Sequence, residues 1–247
     1  MRETRLIMGM PVEIDIVGSD VQVARDAAFD YLNRVDERFS LYKRGSEISR
    51  INCGELTLEA ASPAMHEVFA LAEKTEKETN GYFNIRRPDG LLDPSGIVKG
   101  WAIREAATLI RDAGHKHFFV NAGGDIATSG ENAAGAPWAV GIRNPFVRNE
   151  VVKIIYPRGK GVATSGSYIR GSHIYNPHAP EDDLCDIVSI TIVAPDVLEA
   201  DRYATAAFAM GRDGIAFIEE QPGLEGYAID INGTAILSSG FAAFTTL

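Results

Sequence analysis

The sequence predicts one α+β domain that spans residues 1–247, with helices and strands mixed rather than strictly alternating. Three observations favour this class. Apolar residues recur at helical spacing in several segments, whereas β-branched residues dominate several shorter ones. No repeat, low-complexity tract or linker divides the chain, which is long enough to bury a proper core. We therefore expect a single unit built of two interleaved lobes.

The N-terminal part of the chain predicts a strand, a helix and a polar connection. Residues 10–17 alternate apolar with acidic side chains, as a half-buried strand does. Asp20 is expected to cap the next helix, whose apolar stripe runs through Val21 and Val35. The connection 39–52 carries Tyr42, an aromatic that either stacks on a planar ligand or covers core.

Two further helices are predicted on either side of a glycine-containing loop. The first begins with Ser62 as its cap and Pro63 in its first turn, and it ends near 80–81. The second covers 101–113 and follows the loop 93–100, which reads Asp-Pro-Ser-Gly-Ile-Val-Lys-Gly. The loop therefore leads into a helix N-terminus.

Loop 93–100 is a candidate phosphate seat. A helix N-terminus offers unpaired N–H groups and a partial positive charge, and Lys99 adds a full charge. The alternative is an ordinary helix entry with a solvated Lys99. The chain has neither a Walker A loop nor a Gly-x-Gly-x-x-Gly fingerprint, so the common nucleotide motifs do not decide between the two.

The remainder of the chain is predicted to form short strands, two helices and a closing hairpin. The helices cover 197–210 and 213–221, and the hairpin turns at Asn232-Gly233. The predicted strands are 117–121, 138–142, 151–156, 161–164 and 187–193.

Asp201 and Thr205 are four residues apart on the first of these helices, so their oxygens share one face. Together they offer two hard ligands to Mg²⁺, which prefers oxygen and is commonly shared with substrate phosphates. The alternative is that Thr205 only bonds the carbonyl of Asp201. The spacing alone leaves both interpretations open.

Charge and cysteine content narrow the possible partners. The net charge of −10 argues against a general nucleic-acid or anionic-membrane binder, since either needs a basic face. Cys53 and Cys185 are the two cysteines, so the sequence supports neither a disulfide scaffold nor a cysteine zinc site. Neither a signal peptide nor a membrane span is found in the sequence, so we expect a cytoplasmic protein without stable membrane insertion.

Five groups of residues follow one another along nearly the whole chain. They are Met8-Gly9; Ser40-x-Tyr42 with Ser46-Glu-Ile-Ser-Arg-Ile-Asn52; Asp93-x-x-Gly-Ile-Val-Lys-Gly100 with Asn121-Ala-Gly-Gly-Asp125; Ala163-Thr-Ser-Gly166 with His173-Ile-Tyr-Asn-Pro177; and Asp201-x-x-x-Thr205 ahead of Met210-Gly211. Taken together, the groups resemble the motifs of the ApbE family, the FAD:protein FMN transferases.

This resemblance implies a T-fold-like α+β architecture and a group transfer, in which FMN is cut from FAD and joined through a phosphoester to a Thr or Ser hydroxyl of an acceptor flavoprotein, releasing AMP. His173 would be the base that activates the hydroxyl. Asp201, Thr205 and the backbone carbonyl of Gly96 would hold Mg²⁺. The residues that would contact FAD are Met8, Tyr42, Tyr82, Phe83, Asn84, Asp93, Lys99 and Tyr175.

Two alternatives use the same site. Water can replace the acceptor, which gives an FAD pyrophosphatase with FMN and AMP as products, or the protein can bind FAD without turnover. The presence of His173, Asp201 and Thr205 argues against a non-catalytic protein. Asn84 and Asn176 stand where the family often has Asp, which bears on acceptor choice and efficiency more than on flavin binding.

Overall fold

An eight-stranded sheet forms the centre of the computed structural model, which describes residues 2–167, 174–181 and 186–246. Ten strands are assigned in those ranges: β1 (Arg2–Ile7), β2 (Met10–Ile16), β3 (Phe118–Ala122), β4 (Asp125–Ser129), β5 (Val140–Arg143), β6 (Val151–Ile155), β7 (Gly161–Gly166), β8 (Ile187–Ala194), β9 (Glu225–Asp230) and β10 (Ala235–Leu237). The helices are α1 (Gln22–Phe39), α2 (Glu47–Asn52), α3 (Pro63–Glu78), α4 (Ser95–Asp112), α5 (Val197–Ala209) and α6 (Asp213–Glu219), with short 3-10 turns at Leu58–Ala60 and Phe241–Phe244.

The large sheet consists of two similar halves. Its order is β1-β2-β3-β4-β7-β8-β9-β10, and every neighbouring pair is antiparallel. Each half is four strands in chain order, with helices inserted between the second strand and the third. The halves join where β4 pairs with β7 through Ile126 with Val162 and Ala127 with Gly161. The α+β class predicted from the sequence is confirmed.

Neighbouring residues of β7 show how the sheet divides the core. Val162 is buried with Trp138 and Ile155 on the face that the β5–β6 hairpin covers. The next residue, Ala163, is buried with side chains of α5 and α6, such as Tyr203, on the opposite face. The sheet is thus covered on both faces, with the helices on one side. Among the described residues no helix is long and apolar enough to cross a membrane.

Several predicted element boundaries are confirmed. The Ser62 hydroxyl accepts a hydrogen bond from the Met65 N–H (3.3 Å), with Pro63 in the first turn as expected. The helices predicted at 197–210 and 213–221 are α5 and α6, and β9 and β10 form the closing hairpin.

Other predictions for the N-terminal part were wrong. Asp20 does not cap α1: it has a positive φ of 55°, and Val21 occupies the cap position without a side-chain bond. The connection 39–52 contains α2, whose Ser46 hydroxyl caps the Ser49 N–H. Strand β1 was not predicted because its polar side chains lie at the sheet edge, where pairing with β2 rather than burial holds it.

The loop predicted at 93–100 is mostly helical. Helix α4 begins at Ser95, so Gly96, Lys99 and Gly100 lie within its first two turns. Glycine is an unfavourable helix residue, which is why the sequence favoured a later start. The contacts of these glycines with α5 account for their presence.

Candidate active site

A cleft of about 390 Å³ opens where α4 and α5 meet the ends of β3 and β7. It brings together almost every predicted contact residue in the described ranges. These are Tyr42, Tyr82, Phe83, Asn84, Asp93, Gly96, Lys99, Tyr175, Asp201 and Thr205. Met8 is not in the lining; it lies in the β1–β2 turn with a φ of 53°, half-buried against the main core. His173, the predicted base, lies outside the described residues.

Helices α4 and α5 cross closely because glycines of α4 face the predicted metal ligands. A Cβ on Gly100 would stand 2.6 Å from the Asp201 Cβ and 2.8 Å from the Val197 carbonyl oxygen. A Cβ on Gly96 would stand 3.1 Å from the Thr205 Cγ2. Only glycine therefore permits this approach at position 100, and the approach sets Asp201 and Thr205 against the α4 backbone.

A buried cluster of three charges lies at the bottom of the cleft. The Lys99 ammonium is 2.6 Å from Asp125 Oδ2 and 3.7 Å from Asp201 Oδ1. The other oxygen of Asp201 accepts a 2.7 Å hydrogen bond from the Gly100 N–H. One ammonium and two carboxyl groups thus share a place that water barely reaches, and ionisation of both carboxyl groups would leave one net negative charge, which favours a cation.

Burial raises the pKa of Asp201 from 3.8 to about 8. Desolvation is the largest cause, and the neighbouring Asp125 adds to it, whereas Lys99 and the Gly100 N–H act in the opposite direction. Removing a charged carboxylate from water is costly, so this group gains strongly from any cation that reaches it.

The oxygen atoms around Asp201 fit a Mg²⁺ ion by their chemistry. The Thr205 hydroxyl donates across the helix crossing to the Gly96 carbonyl oxygen (3.4 Å), which places the three predicted ligands beside one another. Within the described ranges no group of three or more His, Cys, Asp or Glu side chains forms a metal site. The set here is one carboxylate, one hydroxyl and one carbonyl, all hard donors of the kind Mg²⁺ prefers.

The N-terminus of α4 is already satisfied in part by the chain itself. Asp93 Oδ1 accepts a hydrogen bond from the Ser95 N–H (3.0 Å). The Asp93 carboxylate thus occupies part of the predicted phosphate-binding site. Lys99 lies one turn further along α4 and is the positively charged side chain that this helix contributes to the cleft.

One wall of the cleft is formed by two segments that hold each other. The Tyr175 hydroxyl donates to the Arg86 carbonyl oxygen (3.1 Å), and a His178 ring nitrogen lies 2.9 Å from the Asn80 carbonyl oxygen. The His178 ring also packs edge-on against Tyr82, with 4.5 Å between centroids. These contacts fix the segment that directly follows His173.

Sequence reasoning missed two charged residues of this region. Asp125 is the last residue of the motif Asn121-Ala-Gly-Gly-Asp125, but the sequence predicts no function for it, although it is fully buried beside Lys99. Arg87 lines the cleft and pairs with Asp89 at 2.8 Å in the short turn 87–90. The signal for Asp125 was a carboxylate directly after two glycines at the end of a buried strand.

A family model described as the ApbE family matches residues 8–87 and 85–228. The chain belongs to the ApbE family.

Curated relatives are named FAD:protein FMN transferase. One from Klebsiella pneumoniae is 33% identical over 151 residues, which cover 58% of this chain and 43% of the relative. One from Escherichia coli K12 is 28% identical over 202 residues, covering 74% and 58%. The matched part thus spans about half the length of these ApbE relatives.

Solved ApbE structures share the fold over nearly their whole length. The flavin transferase ApbE from Vibrio cholerae aligns with a TM-score of 0.86 at 24% identity, covering 99% of this chain and 98% of that one. The ApbE protein from Thermotoga maritima aligns with a TM-score of 0.88 at 20% identity, covering 100% and 99%. The predicted ApbE architecture is therefore confirmed.

The two asparagines that depart from the ApbE pattern have local partners. The Asn84 amide donates to Glu76 Oε1 (3.1 Å) and its carbonyl oxygen accepts from the Arg86 N–H (2.7 Å). An aspartate at position 84 would face the Glu76 carboxylate, so Glu76 explains why an amide suits this ApbE chain. Asn176 accepts from the His178 N–H (2.9 Å), which an aspartate would do equally well.

Proposed function

We propose that this protein transfers FMN from FAD to a Thr or Ser hydroxyl of an acceptor flavoprotein, in a Mg²⁺-dependent reaction that releases AMP. The observation that carries the proposal is the cleft, in which Lys99 and the oxygen set around Asp201 stand among the aromatic and polar residues expected to contact FAD. Membership of the ApbE family supports the same reaction class.

The chemistry requires that negative charge be relieved at a pyrophosphate. The acceptor oxygen attacks the phosphorus of the FMN half, the bond to the AMP oxygen breaks, and the hydroxyl proton passes to a base. Lys99 offers a fixed ammonium to the phosphate oxygens, and its burial strengthens that interaction. Asp201, Thr205 and the Gly96 carbonyl would hold Mg²⁺, which when bound neutralises charge on the phosphate oxygens.

The aromatic residues of the cleft suit the flavin and adenine rings. Tyr82 and Tyr175 lie on the wall formed by the two mutually bound segments, and Tyr42 is 99% exposed at the cleft. A planar ligand gains by stacking on such rings. We infer that Tyr42, free of packing constraints, closes over a bound ring.

The proposal is tested by incubating the purified protein with FAD and Mg²⁺, with and without a protein that carries an acceptor Thr. We expect AMP together with flavin that stays on the denatured acceptor. AMP and free FMN without labelled acceptor would instead show the pyrophosphatase. FAD that is bound but returned intact would show a flavin-binding protein and overturn catalysis.

Replacing His173 with alanine is expected to slow transfer by about 10²–10⁴-fold, the usual contribution of a general base, while FAD affinity changes little. An alcohol is a poor nucleophile at neutral pH, so a neutral imidazole is the natural proton acceptor. Single-turnover transfer and FAD binding measured on the same preparation separate the two effects. His66→Ala, on α3 outside the cleft, is the control. Equal rates in His173→Ala and the unaltered protein would remove His173 from the mechanism.

A further inference from the structure

Asp125 stands behind Lys99, at the start of β4 and outside the lining of the cleft. Its side chain is 1% exposed. Oδ1 accepts a hydrogen bond from the Thr164 N–H of β7 (3.2 Å), and Oδ2 is 2.6 Å from the Lys99 ammonium. A fully buried carboxylate thus connects the strand junction between the two halves to the lysine that faces the cleft.

The contacts of Lys99 are unequal. Asp125 Oδ2 forms an ion pair with the ammonium at 2.6 Å, whereas Asp201 Oδ1 is 3.7 Å away and the other oxygen of Asp201 accepts from the Gly100 N–H. A cation on Asp201 would weaken the attraction between Asp201 and the ammonium, because both positive charges would share one carboxylate. Asp125 is then the anion that keeps Lys99 in place.

Lysine needs such a partner more than most residues. Its ammonium sits on a flexible four-carbon stem, and an unrestrained stem loses conformational entropy whenever the charge is brought to a ligand. An ammonium that is already held in position before the ligand binds can stabilise the negative charge of the transition state without this entropy loss.

We propose that Asp125 is a positioning residue, which holds the Lys99 ammonium at the bottom of the cleft so that the phosphate oxygens of the dinucleotide meet a fixed charge. The proposal rests on the proposed function for the identity of the ligand. It assigns Asp125 no contact with FAD: Asp125 acts on catalysis through Lys99, although its carboxyl group also interacts with that of Asp201.

A double-mutant cycle tests this dependence. Lys99→Met is expected to lower kcat/KM by about 100-fold, the scale of a lost charge-stabilising donor, and Asp125→Asn by about 10-fold. The asparagine in Asp125→Asn keeps an acceptor for the Thr164 N–H, but its NH₂ group then faces the Lys99 ammonium, so the change removes both the charge and the oxygen that pairs with Lys99. The double variant should fall within about threefold of Lys99→Met, because Asp125 has nothing left to position, whereas independent roles would multiply to a loss of about 10³-fold.

The unfolding temperature provides a second test, which does not depend on enzyme activity. Asp125→Asn should lower it in the native background, because Lys99 loses its nearest anion. In the Lys99→Met background the same change should raise it, because two buried carboxylates then have no ammonium between them. A merely structural role for Asp125 predicts a decrease in both backgrounds.

Asp230→Asn, which removes a buried carboxylate at the β9–β10 turn, is the matched control and should leave kcat/KM unchanged within about twofold.

The outcomes separate the inference from the proposed function. Multiplicative losses, or a lowered unfolding temperature in both backgrounds, would overturn the positioning role. If Asp125→Asn does not fold alone, the double variant compared with Lys99→Met gives the same test, since a further loss of about 10-fold overturns it. If the native protein binds FAD without turning it over, the proposed function fails, and the same cycle on FAD affinity, read by flavin fluorescence, still decides the role of Asp125.

Discussion

Replacing Asp201 with asparagine is expected to lower Mg²⁺-dependent kcat/KM by about 10³-fold or more, equivalent to roughly 4 kcal/mol of transition-state stabilisation. Asparagine keeps the volume and can still accept the hydrogen bond from the Gly100 N–H, but it removes the only carboxylate among the proposed Mg²⁺ ligands. Steady-state rates at several Mg²⁺ concentrations check this, and the variant should show no saturation by Mg²⁺.

The same variant should not be less stable than the native protein in the absence of Mg²⁺. Because burial raises the pKa of Asp201 from 3.8 to about 8, ionising it costs folding free energy, and the cost grows as the pH rises through that window. An asparagine side chain does not ionise and lacks this cost. The unfolding temperature of Asp201→Asn should therefore match the native value near pH 4 and equal or exceed it near pH 8.

Asp196→Ala provides the control for Asp201. Asp196 caps the same helix by accepting from the Glu199 N–H (3.0 Å), so its loss should cost about 1 kcal/mol of stability. Its Mg²⁺ dependence should remain native. Full Mg²⁺-dependent activity in Asp201→Asn would remove the carboxylate from the proposed metal site.

Replacing Gly100 with alanine is expected to destabilise the protein by about 1–3 kcal/mol and to lower activity by about 10²-fold. The added methyl group would stand 2.6 Å from the Asp201 Cβ and 2.8 Å from a backbone oxygen of α5, so the helices must separate. That separation moves Asp201 away from the Gly100 N–H and Thr205 from the Gly96 carbonyl. Urea unfolding and kcat/KM measured on the same preparation check both effects.

Gly45→Ala is the matched change, since a Cβ there meets nothing within 4 Å. It should leave stability unaltered or slightly raised. Native activity in Gly100→Ala would mean that the two helices can separate without loss of the site, and the close crossing would then have no catalytic importance.

The sequence predicts those features of this protein that depend on neighbours along the chain. Ser62 with Pro63 identified the start of α3, and the four-residue spacing of Asp201 and Thr205 placed both on one helical face. The start of α4 was misplaced because Gly96 and Gly100 are poor helix residues, and the reason for them lies in α5.

Asp125 shows which features of the site the sequence does not predict. Its motif is visible in the sequence, but its role depends on Lys99 and Thr164, which reach it through a helix and a strand from different parts of the chain. The same holds for Glu76, whose contact with Asn84 explains a departure from the family pattern. Such contacts depend on tertiary packing, which the spacing of residues along the chain does not predict.

The division of the sheet into two halves also bears on how the protein is synthesised. Lys99 and Asp125 belong to the half that leaves the ribosome first, and together they are a neutral pair. Asp201 arrives with the second half and adds the second carboxyl group of the buried cluster. A translation product that stops before α5 therefore lacks Asp201 and Thr205, two of the three proposed Mg²⁺ ligands, so the proposed site can form only after the second half of the chain has been made.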